Sequence, residues 1–287
     1  MKTLIFLLNN NFGGVFLISN TLIQTNNKYW IPKDAKAENI SFPDEHDSLF
    51  EIEESSFWFQ HRNQCIMNAL KKYPPKGMFY DVGGGNGCVA KAIQNTGYDV
   101  TLIEPYEKGA YNAVKRGVET VVCSTLQGSG IPRVSIPAIG IFDVLEHIND
   151  DIAFLSDLNS YLVDGGKLYT TVPSYQFLWS EIDKESYHYK RYRLSALKNK
   201  LENANFDILY QTYFFALLPI QIYLLRTLPS KLKIKRNEKV TPKEHKQTLL
   251  KPITTIYSKI ETLILKKMSL PFGGSCLVVA QKRKENN

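Results

Sequence analysis

The sequence predicts an α/β fold: a mostly parallel sheet covered by helices on both faces. Short apolar runs alternate with helical patterns from residue 77 onward. A glycine-rich turn, DVGGGNG at 81–87, joins the first strong strand pattern to the first helix of that alternation. The chain has 287 residues, 44% hydrophobic and 22% charged, enough for one large core. Alternation of this kind requires right-handed βαβ crossovers, and these bury a parallel sheet between two helical layers.

In chain order, residues 1–54 form an N-terminal extension and 55–287 the main domain. The start, MKTLIFLLNNNFGGVFLIS, has only a short apolar run, Leu4 to Leu8, and Asn9 to Asn11 interrupt it. It lacks a small-residue cleavage site, so it reads as a hairpin around NNNFGG rather than a signal peptide. From Ser55 the pattern turns helical, with Phe57, Trp58, Ile66, Met67 and Leu70 on one side until Pro74-Pro75 stop it. MFYDV is the next strand. A helix follows from Gly87 to Thr96 with Gly97 at its end, then strand YDVTLIE, and a helix from Tyr106 to Arg116 closed by Gly117. VETVVC and PAIGIF are strands, Asp150 to Leu162 a helix, and KLYTTV a strand stopped by Pro173. An irregular aromatic segment, YQFLWSEIDKESYHYKRY, precedes a helix capped by Ser195 and a sixth strand, FDILYQTYF. An apolar and basic insertion covers about 214–268. It ends in an amphipathic helix, 252–267, with Ile253, Ile256, Tyr257, Ile260, Leu263 and Ile264 in one stripe. SCLVVAQ is the last strand.

The four cysteines, Cys65, Cys88, Cys123 and Cys276, contain no CxxC pair. Cys88 and Cys123 stand in apolar runs and read as small buried hydrophobes in a reducing compartment, which points to the cytoplasm. No apolar stretch reaches the length of a membrane span. The net charge is +7, and nine Lys/Arg against two acids between Arg226 and Lys251 account for all of it. That distribution disfavours a nucleic-acid protein with a broad basic face and marks one local basic segment.

In an open α/β sheet, ligands bind beyond the carboxyl ends of the strands. Gly83, Gly84, Gly85 and Gly87 give a tight turn whose backbone a ligand can approach, and Asn86 stands among them. The spacing is GxGxG; where a dinucleotide fingerprint has its third glycine, this chain has Cys88. Asp81 leads the turn. A carboxylate there repels a pyrophosphate but can hold the amino group of a methionine moiety. Glu104, ending the second strand of the alternation, suits the two ribose hydroxyls of either cofactor. The residues favour S-adenosyl-L-methionine over NAD.

DVGGGNG, then IEP, FDVLEHINDD and LVDGGKLYTTVP, resemble the ordered motifs of class I S-adenosylmethionine-dependent methyltransferases. FWFQHR at 57–62, VPSYQFLWSEID…YHYKRY at 172–192 and LPFG at 270–273 are similar to a bacterial ubiquinone-biosynthesis-type subgroup. The resemblance runs from about Ser55 to Gln281. It implies a Rossmann-like three-layer sandwich with a seven-stranded sheet, the last strand lying antiparallel between the fifth and sixth. It also implies S-adenosyl-L-homocysteine as product, and adenine near the loop 124–127, where this chain lacks the acid that the family often has. The expected cofactor wall is Asp81, Gly83, Gly84, Gly85, Asn86 and Gly87; Glu104, Pro105 and Tyr106; Thr125 and Leu126; and Phe142 with Asp143.

Methyl transfer from a sulfonium is an in-line displacement, so the protein needs mainly to align, exclude water and remove a proton. Asp143, Glu146 and His147 follow the fourth strand of the alternation. They read as a general-base group, as a divalent-metal set like that of some related quinone methyltransferases, or as caps on the strand–helix junction. No metal site is assigned. In the aromatic segment, Trp179, Asp183, His188, Arg191 and Tyr192 form a second polar group: either a lid with His188 as an alternative base, or a packed surface loop. Trp58 and Phe59 either close the cofactor pocket or belong to the core. The catalytic candidates are therefore His147, Glu146 and His188. A methyltransferase fold without transfer activity is the competing reading. The acceptor class is a small molecule, a saccharide or a lipid-linked compound. The apolar and basic stretch 214–251 either packs on the fold or touches the inner face of a membrane.

Overall fold

A computed structural model of the chain describes residues 21–33, 46–232 and 251–284. The NNNFGG hairpin, the signal-peptide question and most of the basic segment lie outside these residues.

The extension contributes a hairpin, β1 (Leu22–Gln24) and β2 (Trp30–Pro32), and a short helix, α1 (His46–Glu53). Then come α2 (Phe57–Lys72), β3 (Phe79–Val82), α3 (Cys88–Gln94), β4 (Val100–Ile103), α4 (Glu107–Arg116) and β5 (Thr120–Val122). β6 (Ile136–Phe142), α5 (Asp151–Tyr161) and β7 (Leu162–Pro173) complete the alternation. The remainder holds α6 (Glu181–Glu185), α7 (Leu194–Asn203), β8 (Phe206–Phe214), α8 (Leu218–Ile222), α9 (Leu228–Lys231), α10 (Lys251–Lys267) and β9 (Ser275–Lys282). A π-helical turn, Tyr223–Thr227, joins α8 to α9.

The strands form one mixed sheet in the order β1-β2-β5-β4-β3-β6-β7-β9-β8. The expectation of seven strands is corrected to nine among the described residues. The added two are the 22–32 hairpin, which docks on β5 through the Trp30–Val122 pairing and the Cys123 N–H donating to the Trp30 carbonyl. This docking covers an edge that would otherwise be unpaired. β9 runs antiparallel to both β7 and β8 and lies between them.

Adjacent strand residues point to opposite faces, and each face has its own core. Ile103, Ile139 and Ile141 pack with Leu155 and Leu158 of α5 and Leu197 and Leu201 of α7. Leu102, Ala138 and Phe79 pack with Ile66 and Leu70 of α2 and Ile93 of α3. Local signals explain most boundaries. The Ser56 hydroxyl caps α2 by accepting from Trp58 N, and Gly117 ends α4 at φ +89°. Ser195 lies inside α7; Arg193 holds its N-cap position, with no side-chain bond to the cap. Cys88 and Cys123 are half-buried, while Cys65 and Cys276 are fully buried, and all four are free.

α10 reverses the usual sense of an amphipathic helix. Ile253, Ile256, Ile260 and Leu263 are all more than half exposed, whereas Ser258 and Glu261 are buried. The polar face is inward because Glu261 has four donors there. It accepts from Phe215 N (2.8 Å), Ala216 N (2.7 Å), the Tyr257 hydroxyl (2.7 Å) and the ring of buried His61 on α2. The other His61 nitrogen meets Ser258 Oγ at 2.6 Å. Burial raises the Glu261 pKa, but the bonds from His61, Ala216 and Tyr257 more than offset it, so the carboxyl is held below its usual range.

Glu261→Ala therefore strands the buried Phe215 amide, the half-buried Ala216 amide and a buried histidine, and it should cost ~3–5 kcal/mol of stability. Ile260→Gln, on the apolar stripe, should change stability by less than ~0.5 kcal/mol. Denaturant midpoints of the two variants check this ordering; the reverse ordering contradicts the burial of the polar face.

Candidate active site

The carboxyl ends of β3, β6, β7 and β8 converge on one edge of the sheet. The backbone is strained there. Asp143 after β6, Tyr175 after β7 and Phe215 after β8 all have positive φ, at 57°, 58° and 61°. Non-glycine residues in this region cost of order 1 kcal/mol or more each and persist where surrounding structure fixes them. Asp143 is fixed by Arg62 and Thr171, and Phe215 by Glu261.

The glycine turn after β3 divides its bareness between two tasks. A Cβ on Gly87, the αL N-cap of α3, would lie 2.8 Å from Val118 Cγ2, so that glycine lets α3 pack close to the end of α4. Gly83 and Gly84 are crowded in the same way by Val144 and Leu102. Gly85 is different. At φ +53° nothing lies within 4 Å of its Cβ position, so one face of the turn is open. The Asn86 side chain points away from that face. It donates to the His46 carbonyl of α1 (2.8 Å) and accepts from Asn112 of α4 (3.1 Å). α1 is held further by the buried Glu53–Arg116 ion pair at 2.7 Å.

Two buried acids flank the open face. Asp81 is 1% exposed, and its Oδ2 has no hydrogen-bond partner. Burial pushes its pKa up to about 7, against the opposing field of Arg62 and a bond from the Ala90 amide. Glu104 accepts from Gly85 N (2.8 Å) and Tyr106 N (2.9 Å), and burial pushes its pKa to about 7 as well. Pro105 and Tyr106 follow it, partly exposed. Thr125 Oγ1 accepts from Gly128 N and shapes the next loop, while Leu126 is in the core. The Phe142 ring is also core, parallel to Phe79.

Sequence reasoning passed over Arg62. It is 7% exposed, donates to Asp143 Oδ2 at 2.6 Å, and stands over the rings of Trp58 (4.9 Å) and Phe59 (5.2 Å). Trp58 and Phe59 are thus the seat of this cation. Its presence in the FWFQHR motif was the available signal. Asp143 Oδ1 accepts from Thr171 Oγ1 on β7. Glu146 and His147 lie on a 3-10 turn, Leu145–His147. Burial, and then the Asp143 charge, raise the Glu146 pKa well above the carboxylate range. Burial and the neighbouring His188 push the His147 pKa down to about 3, so it is a neutral imidazole.

The aromatic segment brings His188 onto His147, with ring centroids 4.7 Å apart and edge to face. Asp183, fully buried, organises the segment. Its Oδ1 meets His188 Nδ1 at 3.0 Å and Arg191 Nε at 2.7 Å, and its Oδ2 accepts from Ser180 N. Tyr192 is buried, and its hydroxyl donates to Asp151 at 3.0 Å. Trp179 is half-buried on the same segment. The three catalytic candidates are therefore brought together, with ligating atoms of Glu146, His147 and His188 within 4.8 Å of one another. The glycine turn reaches this group through Arg62 and Asp143.

The sequence matches the family model of a methyltransferase domain over residues 59–211, more than half of the chain. The chain belongs to the methyltransferase-domain family. S-adenosylmethionine is the cofactor of these enzymes. Solved structures share the fold at low identity. In the complex between the Haloferax volcanii Trm112 methyltransferase activator and a methyltransferase, the matching chain has TM-score 0.56 and 13% identity, covering 86% of this chain and 100% of that one. Phosphoethanolamine N-methyltransferase 2 of Haemonchus contortus, solved with S-adenosyl-L-methionine, has TM-score 0.54 and 17% identity, covering 90% of this chain but only 62% of that one. A methyltransferase of Thermotoga maritima has TM-score 0.51 and 16% identity, covering 84% and 95%. No curated protein sequence matches this one.

Asp183 gives a pH signature. Burial alone raises its pKa, but His188 and Arg191 outweigh this and hold it at about 2. A folded pKa below the unfolded value contributes stability that is present above about pH 4 and lost as pH falls toward 2, in all ~2 kcal/mol. In acid unfolding, Asp183→Asn should remove that part of the slope and cost ~3 kcal/mol at neutral pH by stranding Arg191. An unchanged acid limb would contradict the assignment.

Proposed function

We propose that the chain transfers a methyl group from S-adenosyl-L-methionine to a small-molecule, saccharide or lipid-type acceptor, releasing S-adenosyl-L-homocysteine. The observation that carries the reading is the pairing of an open glycine face at Gly85 with a buried, unpartnered carboxyl oxygen of Asp81. That oxygen lacks a hydrogen-bond donor, and the ammonium of a methionine moiety supplies one. Glu104 offers acceptors to ribose hydroxyls, and the 124–127 loop after β5 is where the family resemblance puts the adenine. The ordered motifs FWFQHR, YHYKRY and LPFG support membership of a ubiquinone-biosynthesis-type subgroup.

The bound cofactor supplies an activated methyl on a sulfonium. The chain supplies the remainder. Arg62 neutralises Asp143 and moderates Asp81, so the site carries little net negative charge before a cation enters. Asp183 accepts from His188 Nδ1 and thereby leaves the lone pair on Nε2. His188 thus takes the acceptor's proton at Nε2, with its orientation fixed by a buried partner. His147 is pushed too low to share that task and packs edge-on against His188. Few groups are required because the leaving sulfide needs no acid.

Calorimetry with S-adenosyl-L-homocysteine tests the cofactor assignment. The ammonium pairs with ionised Asp81, so binding must release its proton below about pH 7. Affinity should rise as pH increases to about 7 and then level off, with a slope approaching tenfold per unit below it. Binding of NAD alone, or pH-independent affinity, contradicts the pocket. For transfer, His188→Gln should lower turnover on a productive acceptor by ~100-fold or more while homocysteine-product affinity stays unchanged. Equal loss from His147→Gln and none from His188→Gln would reverse the assignment.

A further inference from the structure

The outward apolar stripe of α10 has a counterpart. Leu217, Ile220, Leu224, Leu225 and Leu232, along α8, the π turn and α9, are each more than half exposed. Their spacing, with steps of three, four, one and seven residues, places them on one side of a helix. The two stripes are neighbours: Leu217 N donates to the Tyr257 hydroxyl of α10, and the Glu261 carboxylate of α10 accepts from Phe215 N and Ala216 N just before α8. The far end of the second helix reaches the aromatic segment, where Thr227 Oγ1 donates to the Leu178 carbonyl and the Tyr223 ring lies 6.5 Å from Phe177. Phe177 and Phe272 are also exposed. A contiguous apolar belt therefore borders the candidate active site, built by two helices whose inward contacts are already satisfied. Exposed apolar surface of this extent marks an interaction site.

Charge identifies the occupant. Between Arg226 and Lys251, joining the two helices, the sequence has nine Lys/Arg and two acids. Lys259, Lys266 and Lys267 on α10 are exposed beside its stripe. A second copy of this chain would bring two such basic segments together, and they would repel. An anionic surface attracts them. No helix among the described residues is long and apolar enough to cross a membrane. We propose that α8–α9 and α10 lie in the headgroup layer of an anionic lipid bilayer, apolar stripes inserted and the exposed Lys231, Lys259, Lys266 and Lys267 against the lipid phosphates. This surface would place the edge of the sheet that holds His188 beside the bilayer. The inference stands on exposure and charge, independent of methyl transfer.

Sedimentation of the full chain with vesicles tests it. Phosphatidylcholine vesicles containing an equal part of phosphatidylglycerol should carry down at least ~10-fold more protein than pure phosphatidylcholine at about 50 mM salt, and about 500 mM salt should weaken the effect. Leu224→Glu with Ile260→Glu, both at exposed positions, should abolish sedimentation while leaving thermal unfolding and S-adenosyl-L-homocysteine calorimetry unchanged. Absence of sedimentation on anionic vesicles overturns the proposal. So does equal binding by the double variant. A dimer in solution that the same substitutions split, with no vesicle binding, overturns it in favour of a second copy. The calorimetric arm keeps failure here separate from failure of the cofactor pocket.

Discussion

One buried guanidinium organises the carboxyl edge of this protein. Arg62 is taken out of water against the rings of Trp58 and Phe59, and a charge so placed needs a partner. Asp143 is that partner, at 2.6 Å, and the pairing holds Asp143 in a backbone conformation it would not adopt unaided. The same positive charge opposes the burial-driven rise in the pKa of Asp81 and Glu146. Without it buried Asp81 and half-buried Asp143 would be acids with no charge partner. The pre-sheet helix is therefore part of the site: it supplies the charge around which the ends of β3 and β6 are arranged.

Much of this was legible in the sequence. Alternating runs specified the parallel sheet, because period-2 and period-3.6 patterns are fixed by backbone geometry. DVGGGNG and Glu104 marked the edge of the sheet where the buried acids gather, since a bare turn with flanking acids has few structural uses. The hairpin at 22–32 was missed because its strands have three residues each, too short for a pattern to accumulate. The assignment of the four glycines as equivalent was too simple. Whether a glycine is bare for a ligand or for a neighbour such as Val118 depends on tertiary contacts that local sequence does not encode.

The inverted helix α10 shows the same limit from the other side. An apolar stripe predicts burial, because removing such side chains from water is the largest favourable term in folding. Here four donors converging on Glu261 fix the opposite face inward, including the two amides of the strained Phe215 turn. None of those donors lies on α10's apolar stripe except Tyr257, and His61 is 200 residues away. The result is an apolar belt bordering the reactive edge. The apolar belt, strained turns and the buried acids all converge there, while a pocket of about 270 Å³ lined by Lys76, Gly165, Gly166 and Lys284 lies at the opposite end of the sheet.

The most direct test is a crystal structure of the chain with S-adenosyl-L-homocysteine. The account predicts the ligand across the open face of Gly85, its amine on Asp81 Oδ2, its ribose on Glu104 and its sulfur facing the His147–His188 pair. A ligand seated elsewhere on the fold, or an Asp81 oxygen still unpartnered in the complex, would contradict it.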